Sequence, residues 1–257
     1  MTAQPTVIHS RDNALLKDLR RLSQDSTAYR KQGRVWLEGD HLCSAALARG
    51  QRPAMAVFSE SFWPLAPIQY TQSAPKNIVV SDVLWRDISG LESPARMGFV
   101  LALPADQGLD AQAPTVVLDR LQDAGNVGSI LRSASAFGFT QIAALKGTAA
   151  LWSVKVLRAG MGAHFALRLV EGLELADIDG LAVPLLATSS HQGDWLHHAR
   201  LPWPCGWIMG HEGQGVSAAL QQRACQHIRI AQPGGEESLN VGAAAAICLH
   251  ASAAARG

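Results

Sequence analysis

The sequence predicts an α/β protein in which a small α/β domain precedes a larger domain built on a mainly parallel sheet. Three observations support this prediction. From residue 115 onward, short apolar runs alternate with segments of helical periodicity, and such alternation is typical of parallel sheets covered by helices. LPADQGLDAQAP, at 103–114, has no periodicity and separates this region from the first hundred residues. With 48% hydrophobic residues and a net charge of +1, the composition is that of a globular chain.

The first hundred residues contain two helical segments and several apolar runs. NALLKDLRRLSQ places four leucines on one helical stripe, and GDHLCSAALARG is a helical segment that Gly50 ends. The apolar runs occupy 55–58, 77–80 and 97–103. We therefore predict a first domain over 1–103, an exposed linker over 104–113 and a second domain over 114–257.

Six apolar runs of strand length follow the linker. They are TVVLD (115–119), QIAAL (141–145), ALRLV (166–170), LAVPLLATS (181–189), GWIMG (206–210) and HIRI (227–230). Most of the intervals between them are long enough to hold a helix, which favours a parallel sheet with helices on both faces. Ligands bind at the carboxyl ends of the strands in such sheets. The loops after three of these strands are therefore candidate site segments.

Composition also bears on location and on metal binding. The chain starts without the apolar core of a signal peptide, and no apolar stretch approaches the roughly 18 residues of a membrane helix. We expect a soluble cytoplasmic protein that does not contact a membrane. The cysteines are far apart and form no CxxC pair, so we expect buried reduced thiols and neither a disulfide framework nor a metal site. They are Cys43, Cys205, Cys225 and Cys248.

Basic residues are concentrated in two parts of the chain. Residues 1–34 contain seven basic side chains and three acidic ones, and residues 124–170 contain five basic side chains and no acidic one. This distribution predicts two local positive surfaces. A solvated helix face accounts for the first segment equally well.

The first candidate loop lies in LDRLQDAGNVGSILRSASAFGF, at 118–139. A strand is predicted to end at Asp119 and a helix to begin near Asn126, with Arg132 six residues later. Backbone N–H groups at the start of a helix suit an anionic group, and Arg132 would add a forked donor. On spacing alone, a capped helix with a surface arginine is the simpler interpretation.

The second candidate loop is IMGHEGQGVS, at 208–217. A strand leads into Gly210, then Glu212, Gly213 and Gly215, and then a helix. Glu212 occupies the position of the middle glycine in the dinucleotide-binding fingerprint, so that fingerprint is excluded. Glycines would let the backbone approach a ligand closely while the carboxylate points into a pocket. The alternative is a tight turn with a solvated glutamate.

The third candidate loop precedes an alanine-rich helix and contains Ser238 and Asn240. A helix N-cap accounts for one of these two polar residues, because serine and asparagine are both ordinary caps. The alanines would let the helix pack closely against a neighbour. We therefore expect this polar pair to lie in a dry interior at the start of the helix.

Together, the three loops resemble the SpoU, or TrmH-type, branch of the SPOUT superfamily of S-adenosylmethionine-dependent RNA 2′-O-ribose methyltransferases. The first motif of the family is similar to NVGSILR at 126–132, the second to GHEGQG at 210–215 and the third to ESLNVGAAAAI at 237–247. Their order, spacing and strand context all agree with the family. The resemblance implies a knotted C-terminal domain with a deep trefoil, in which the bound cofactor is bent.

The resemblance also implies roles for individual residues. The catalytic set that it implies is Asn126, Arg132, Glu212, Ser238 and Asn240. The positions that would contact S-adenosyl-L-methionine are Gly210, Ile230 and Leu239. Around the cofactor, the chain departs from the common pattern at four positions, where family members often have Pro, Met, Ser and Glu. These positions are Ala231, Gln232, Gly242 and His250.

RNA contacts are implied in two places. KVLRAGMGAH, at 155–164, is similar to the basic segment between the motifs of the family, which makes Lys155 and Arg158 candidates. VWLEGDHLCSAALARG resembles part of the substrate-binding module that often precedes the methyltransferase domain. The basic residues of the N-terminal segment are therefore candidates too, namely Arg20, Arg21, Arg30 and Lys31.

The activity that the resemblance implies is methyl transfer to a ribose 2′-hydroxyl of ribosomal RNA, with 23S rRNA as the preferred substrate, by a homodimer that needs no metal ion. The alternatives are a transfer RNA substrate, methylation of a base, and an inactive RNA-binding protein of the same fold. A guanidinium is a poor proton acceptor. Arg132 is therefore interpreted as a phosphate clamp and alkoxide stabiliser, and Glu212 as the proton acceptor or, alternatively, as an orienting group.

Overall fold

The structure, a computed structural model, describes residues 4–90, 93–189, 192–234 and 238–256. The chain forms two compact units. The first comprises Met1–Ala105 and Trp152–Phe165, and the second comprises Asp106–Leu151 and Ala166–Gly257. The segment between the first two motifs thus contributes a helix to the unit that contains the N-terminal residues. The predicted boundaries placed Trp152–Phe165 in the second domain, whereas the structure groups this segment with the first unit.

A mixed five-stranded sheet forms the centre of the first unit. Its strands are β1 (Thr6–Ile8), β2 (Arg34–Glu38), β3 (Met55–Ser59), β4 (Asn77–Val80) and β5 (Met97–Ala102). They are ordered β1-β4-β3-β5-β2. β1, β4 and β3 are parallel, whereas β5 is antiparallel to both β3 and β2.

Helices pack around this sheet. They are α1 (Ala14–Gln24), α2 (Ala28–Gln32), α3 (Asp40–Ala48), α4 (Ile68–Thr71), α5 (Asp82–Ile88) and, from later in the chain, α7 (Val154–Gly160). The predicted leucine stripe accounts for the packing of α1, because Leu16, Leu19 and Leu22 are buried. The Asn13 side chain caps this helix by accepting hydrogen bonds from N–H groups of its first turn. α7 contacts α1 and β2.

The second unit is built on a seven-stranded sheet. Its strands are β6 (Thr115–Leu118), β7 (Gln141–Leu145), β8 (Arg168–Leu173), β9 (Leu185–Thr188), β10 (Asp194–Trp195), β11 (Gly206–Met209) and β12 (Gln226–Arg229). Their order is β10-β12-β9-β11-β6-β7-β8, and every neighbouring pair is parallel. The predicted parallel sheet is therefore confirmed, and six of its strands coincide with the predicted apolar runs. The two-residue β10 was not predicted, because it is too short to show a periodicity.

In the described part of the second unit, the α-helices are α6 (Ala124–Ala136), α8 (Ala218–Arg223) and α9 (Val241–Ala254). α6 follows β6, α8 follows β11 and α9 follows β12, and α6 packs against α9. β11 lies between β6 and β9, so the loops that follow β6 and β11 are neighbours at the carboxyl edge of the sheet. The trefoil knot implied by the resemblance stays a prediction.

All four cysteines are free thiols, and Cys43, Cys205 and Cys248 are buried. Burial raises the pKa of Cys205 to about 11 and that of Cys248 to about 12. Cys225 is exposed, contrary to expectation, because it lies at the rim of the sheet, directly before β12. Across the ranges that the structure describes, no helix is both long and apolar enough to cross a membrane.

Candidate active site

A cavity of about 620 Å³ opens at the carboxyl edge of the C-terminal sheet. Its volume lies within the roughly 300–1,000 Å³ of small-molecule sites. The cavity is formed by the ends of β9 and β12, by the loop after β11 and by the residues that lead into α9. Of the eight residues predicted to be catalytic or to contact the cofactor, those that line it are Gly210, Glu212, Ile230, Ser238, Leu239 and Asn240.

The loop after β11 folds back on itself. The His211 N–H donates to the Gly215 carbonyl over 3.0 Å, and the Gly215 N–H donates to the His211 carbonyl over 2.8 Å. A Cβ atom on Gly210 would lie 2.2 Å from the backbone of both Gly215 and Val216. Glycine is therefore required at position 210 by the closure of the loop itself, a reason that adds to the predicted close approach of a ligand.

Glu212 ties this loop to the one that follows β6. Its Oε1 atom accepts hydrogen bonds from the Asp123 N–H over 3.1 Å and from Asn126 Nδ2 over 3.3 Å. Its Oε2 atom accepts from the Gln122 N–H over 3.3 Å. The carboxylate thus fixes the N-terminal end of α6 and holds the Asn126 side chain.

The protonation of Glu212 follows from these contacts. Burial raises the pKa of Glu212, but the hydrogen bonds donated by its own N–H, by the Asp123 and Gln122 N–H groups and by the Asn126 amide outweigh burial, so the pKa lies below its ordinary value. The carboxylate is therefore ionised at neutral pH, and both of its oxygens already accept hydrogen bonds. Such a group is a good orienting residue and a weak proton acceptor.

Asn126 and Asn240 extend this connection to the third motif. Asn126 Oδ1 accepts a hydrogen bond from Asn240 Nδ2 over 2.9 Å. Asn240 Oδ1 in turn caps α9 by accepting from the Gly242 N–H over 2.9 Å and from the Ala243 N–H over 3.2 Å. Glu212, Asn126 and Asn240 therefore form one hydrogen-bonded series, which we call the carboxylate–amide chain. It joins the three motif loops.

The departures from the family pattern lie in different environments. A Cβ atom on Gly242 would stand 3.1 Å from Asn240 Oδ1 and 3.7 Å from Asn126 Oδ1, so glycine leaves room for the carboxylate–amide chain. Gln232 lines the cavity, whereas Ala231 is exposed. His250 does not line the cavity and instead makes an edge-on ring contact with Phe137, with ring centroids 5.4 Å apart.

Ser238 and Asn240 do not lie in a dry interior, so that prediction is wrong. Both are exposed, and Leu239 between them is 39% exposed. The helical packing surface begins only after the pair, with Gly242 and Ala245, which are buried in α9. The small residues serve the contact between α9 and α6, while the polar pair stands at the mouth of the cavity.

Arg132 lies on α6 outside the carboxylate–amide chain. It is exposed on α6 and is not among the described residues that line the cavity. An α-helix turns by about 100° per residue, so six residues place Arg132 about 120° around α6 from Asn126. The guanidinium therefore faces solvent in the single chain, where it is accessible to a substrate.

The candidate RNA-binding residues all belong to the first unit. They are Arg20, Arg21, Arg30, Lys31, Lys155 and Arg158. All of them except Arg20 are exposed. Arg20 is half-buried and forms an ion pair with Asp87 over 2.9 Å, and Arg30 Nε donates to the Tyr29 hydroxyl over 3.1 Å. Lys155 and Arg158 lie three residues apart on α7 and therefore share a helix face.

Two acidic residues were missed by the sequence analysis as site residues. Asp119 is 1% exposed, and its carboxylate accepts from the Ser217 N–H over 2.7 Å and from Arg120 Nε over 2.9 Å. It thereby ties the end of β6 to the start of α8. Asp123 caps α6 by accepting from the Asn126 N–H over 2.7 Å. Asp119 directly follows the buried strand β6 and Asp123 directly precedes α6, and these positions were the available signals.

In the described part of the chain, no group of three or more His, Cys, Asp or Glu side chains is placed to hold a metal ion. The polar side chains that line the cavity are three hydroxyls, four amides, the His211 imidazole and the Glu212 carboxylate.

Comparison with known proteins identifies the family. A profile described as the SpoU rRNA Methylase family matches residues 113–250. An uncharacterised tRNA/rRNA methyltransferase of Synechocystis is 32% identical, over 97% of this chain and 94% of that protein. The 23S rRNA (guanosine(2553)-2′-O)-methyltransferase RlmP of Bacillus subtilis is 27% identical, over 95% of this chain and 97% of that protein.

Solved structures agree with this result. A crystal structure of an RNA 2′-O ribose methyltransferase is 29% identical and superposes with a TM-score of 0.79, over 98% of this chain and 99% of that chain. The AdoMet-bound rRNA methyltransferase of Sinorhizobium meliloti is 24% identical, with a TM-score of 0.82 over 97% of this chain and 98% of that chain, and shares the fold. Because the family profile covers more than half of the chain and includes all three motif loops, this protein belongs to the SpoU rRNA methylase family.

Proposed function

We propose that the protein transfers a methyl group from S-adenosyl-L-methionine to a ribose 2′-hydroxyl of 23S ribosomal RNA and that it acts as a homodimer. The observation that carries the proposal is the carboxylate–amide chain, which joins all three family motifs beside one cavity. RlmP of Bacillus subtilis, which matches nearly the full length of this chain, is named for a 23S rRNA guanosine. Its name supports the choice of RNA.

The cavity suits S-adenosyl-L-methionine in size and in the chemistry of its walls. It combines apolar side chains, among them Ile230 and Leu239, with backbone at Gly210 and polar groups at its mouth. This mixture fits a ligand with a flat aromatic end and a charged end. Gly210, Ile230 and Leu239 would hold the cofactor, and the bound cofactor would supply a methyl group on a sulfonium sulfur.

Positioning is the main contribution of the carboxylate–amide chain. Holding two reactants in line at near-attack distance supplies roughly 7–11 kcal/mol of a barrier. Glu212 orients Asn126, and Asn240 fixes both Asn126 and the start of α9. Ser238, whose side chain lies at the mouth of the cavity, is placed to hydrogen-bond the ribose.

Charge stabilisation falls to Arg132. The bound cofactor would supply its methyl group to the ribose 2′-oxygen and leave as the neutral thioether, and the hydroxyl proton would be released to water at the exposed mouth. Arg132 stays charged throughout, so it holds the neighbouring phosphate and stabilises the developing alkoxide. The pKa of Glu212 lies below its ordinary value, which favours the orienting role over proton acceptance.

Assembly as a dimer is supported by the surface of α9. Ile247 is 40% exposed on this alanine-rich helix, and Ala243 is exposed on its first turn. Small and apolar residues on one helix suit close packing across a two-fold axis, where the same surface serves both copies.

Mapping of 2′-O-methyl sites tests the proposed substrate. Total RNA from a strain that lacks the protein should lose one methylated ribose in 23S rRNA, and the purified protein should restore it with S-adenosyl-L-methionine in the presence of a chelator. Loss of a site in transfer RNA would establish the alternative substrate. Unchanged ribose methylation, together with RNA binding by the purified protein, would establish the inactive RNA-binding protein.

A further inference from the structure

We propose that the Gln232 side-chain amide recognises the purine edge of the bound cofactor, an inference that rests on the proposed function. Gln232 lines the cavity together with Ile230, two residues earlier in the chain. Its Oε1 atom is buried, and no hydrogen-bond partner for it lies among the described residues. The structure thus places a buried amide oxygen, unpaired among the described residues, in the wall of the candidate cofactor site.

A buried amide without a partner is costly for the folded protein. Most buried polar atoms in proteins are hydrogen-bonded, and an unsatisfied one loses its interaction with water without replacing it. An apolar residue of similar length, such as the methionine common in the family, would avoid this loss. The amide is therefore explained by a ligand that supplies the missing partner.

The residues around Gln232 indicate which part of the cofactor its amide would face. Ile228, Ile230, Leu239 and Val241 contribute apolar side chains to the same cavity, and such side chains suit the faces of a flat aromatic ring. Among the polar residues that line the cavity, His211, Glu212 and Gln214 lie together on the loop after β11, which forms a polar part of the wall. The adenine ring fits the apolar part, whereas the charged amino-acid end of the cofactor fits the polar part.

Adenine matches the chemistry of a glutamine side chain. The base presents an exocyclic amino donor next to a ring-nitrogen acceptor, and glutamine pairs with such an edge through its oxygen and its NH₂ group together. The oxygen and nitrogen of an amide exchange places by a simple rotation. The amide oxygen finds a donor on the purine only if the base carries its amino group, whereas the amide NH₂ group can donate to a ring nitrogen with or without it.

The decisive experiment compares two ligands on two proteins. Calorimetric titration would use S-adenosylhomocysteine and its analogue in which hydrogen replaces the purine amino group. The wild-type protein should bind S-adenosylhomocysteine about tenfold more tightly than the analogue, as expected for one well-formed hydrogen bond. For Gln232→Met the two affinities should differ by less than about twofold, because no acceptor faces the amino group.

Gln221→Met is the matched control. Gln221 lines the same cavity, but its Nε2 atom already donates to the Val216 carbonyl over 2.8 Å. We expect this variant to keep the wild-type preference for S-adenosylhomocysteine. If Gln221→Met loses the preference as Gln232→Met does, the assignment to Gln232 is overturned.

Thermal unfolding provides a second readout that separates binding from folding. Without ligand, Gln232→Met should unfold at the same or a higher temperature than wild type, because an unpaired buried amide has been removed. With saturating S-adenosylhomocysteine, its gain in unfolding temperature should be smaller than that of wild type. A lower unfolding temperature without ligand would show that the amide has a structural partner, which contradicts the inference.

The outcomes distinguish the inference from the proposed function. A folded wild-type protein that does not bind S-adenosylhomocysteine would overturn both. A wild-type protein that binds both ligands equally, or a Gln232→Met variant that keeps the full preference, would overturn the inference alone.

Discussion

Asn126 is held from two sides, and this arrangement determines what its neighbours can do. Glu212 Oε1 accepts from the Asn126 amide nitrogen over 3.3 Å, and the amide oxygen of Asn126 accepts from Asn240 over 2.9 Å. Asn240 is at the same time the N-cap of α9. Among the predicted catalytic residues, these three therefore bind one another, and Ser238 and Arg132 are the two that we propose to contact RNA.

Replacement of Glu212 tests its orienting role. In Glu212→Gln, one carboxylate oxygen becomes an NH₂ group that faces N–H donors, so charged hydrogen bonds worth about 1.5–3 kcal/mol are lost. We expect the rate of single-turnover methyl transfer to fall roughly 10- to 100-fold. A Glu212→Gln variant with nearly wild-type activity would contradict this role.

The pH dependence of activity gives a second test of the orienting role of Glu212. Hydrogen bonding holds the pKa of Glu212 below its ordinary value, so the orienting carboxylate persists from neutral into mildly acidic solution. It is lost only as the pH falls through that lowered pKa. Wild-type activity should therefore show no loss attributable to Glu212 near neutrality, and above this acid range Glu212→Gln should keep the shape of the wild-type profile.

Single-turnover methyl transfer across pH also tests the role of Arg132. Arg132→Lys keeps the positive charge but loses the forked donor, so activity should fall while part of it remains, and Arg132→Ala should lose more. Cofactor affinity should stay near wild type in both variants, because Arg132 does not line the cavity. An Arg132→Lys variant that gains on wild type as the pH rises would instead identify residue 132 as the base.

At the scale of elements, the loop after β11 shows how local geometry builds the site. Residues 211 and 215 exchange two backbone hydrogen bonds, and Gly215 adopts a φ of +67°, which favours glycine. Asp119, at the end of β6, accepts from the Ser217 N–H where this loop enters α8. The position of the Glu212 carboxylate is therefore set by the closure of the loop.

Gly210→Ala should disrupt this closure. The added Cβ atom would meet the backbone of Gly215 and Val216 at 2.2 Å, and overpacking of this kind costs about 1–3 kcal/mol. We expect lower stability to denaturant and weaker binding of S-adenosylhomocysteine. Gly213→Ala is the matched control in the same loop, because its Cβ atom would meet only the His211 ring, at 3.9 Å. Equal effects of the two substitutions would contradict the closure argument.

At the scale of the whole molecule, the candidate RNA-binding residues and the cavity belong to different units. The first unit carries the basic residues and includes α7, although α7 lies between the first two motifs in sequence. The second unit carries the cavity and the carboxylate–amide chain. RNA affinity and methyl transfer should therefore respond to different substitutions.

The salt dependence of RNA binding tests the first unit. If Lys155 and Arg158 contact phosphates, the double alanine variant should reduce the slope of log affinity against log salt by about one for each lost contact. The control is Arg52→Ala with Lys76→Ala, which removes the same charge from exposed positions of the same unit. Equal slopes for the two double variants would place the RNA contacts elsewhere.

Light scattering tests the dimer. The mass in solution should be about twice 27.4 kDa. Ile247→Lys, on the half-exposed surface of α9, should shift the protein towards the monomer. Val83→Lys, at a 71% exposed position of the first unit, should not. A wild-type monomer that remains active would refute the dimer.

Most of the local structure was predictable from the sequence. Six strands of the C-terminal sheet, the stripe on α1 and the three motif loops follow from apolar periodicity and glycine placement, because these signals report on neighbouring residues. The missed elements have other causes. Strand β10 has only two residues. Strand β2 contains the residues VWLE, which directly precede the predicted helix GDHLCSAALARG, and only that helix was identified from the sequence.

Nonlocal contacts were decided by the tertiary structure alone. Asn240 meets Asn126 across 114 residues, and α7 joins the first unit. N–H groups from the loop after β6 reach the Glu212 carboxylate and help to hold its pKa below the ordinary value. Such contacts leave no periodicity in the sequence, since they depend on the order in which strands assemble. The sequence by itself determined which chemical groups the site contains, and the folding of the sheet decided which of them bind one another and which face the substrate.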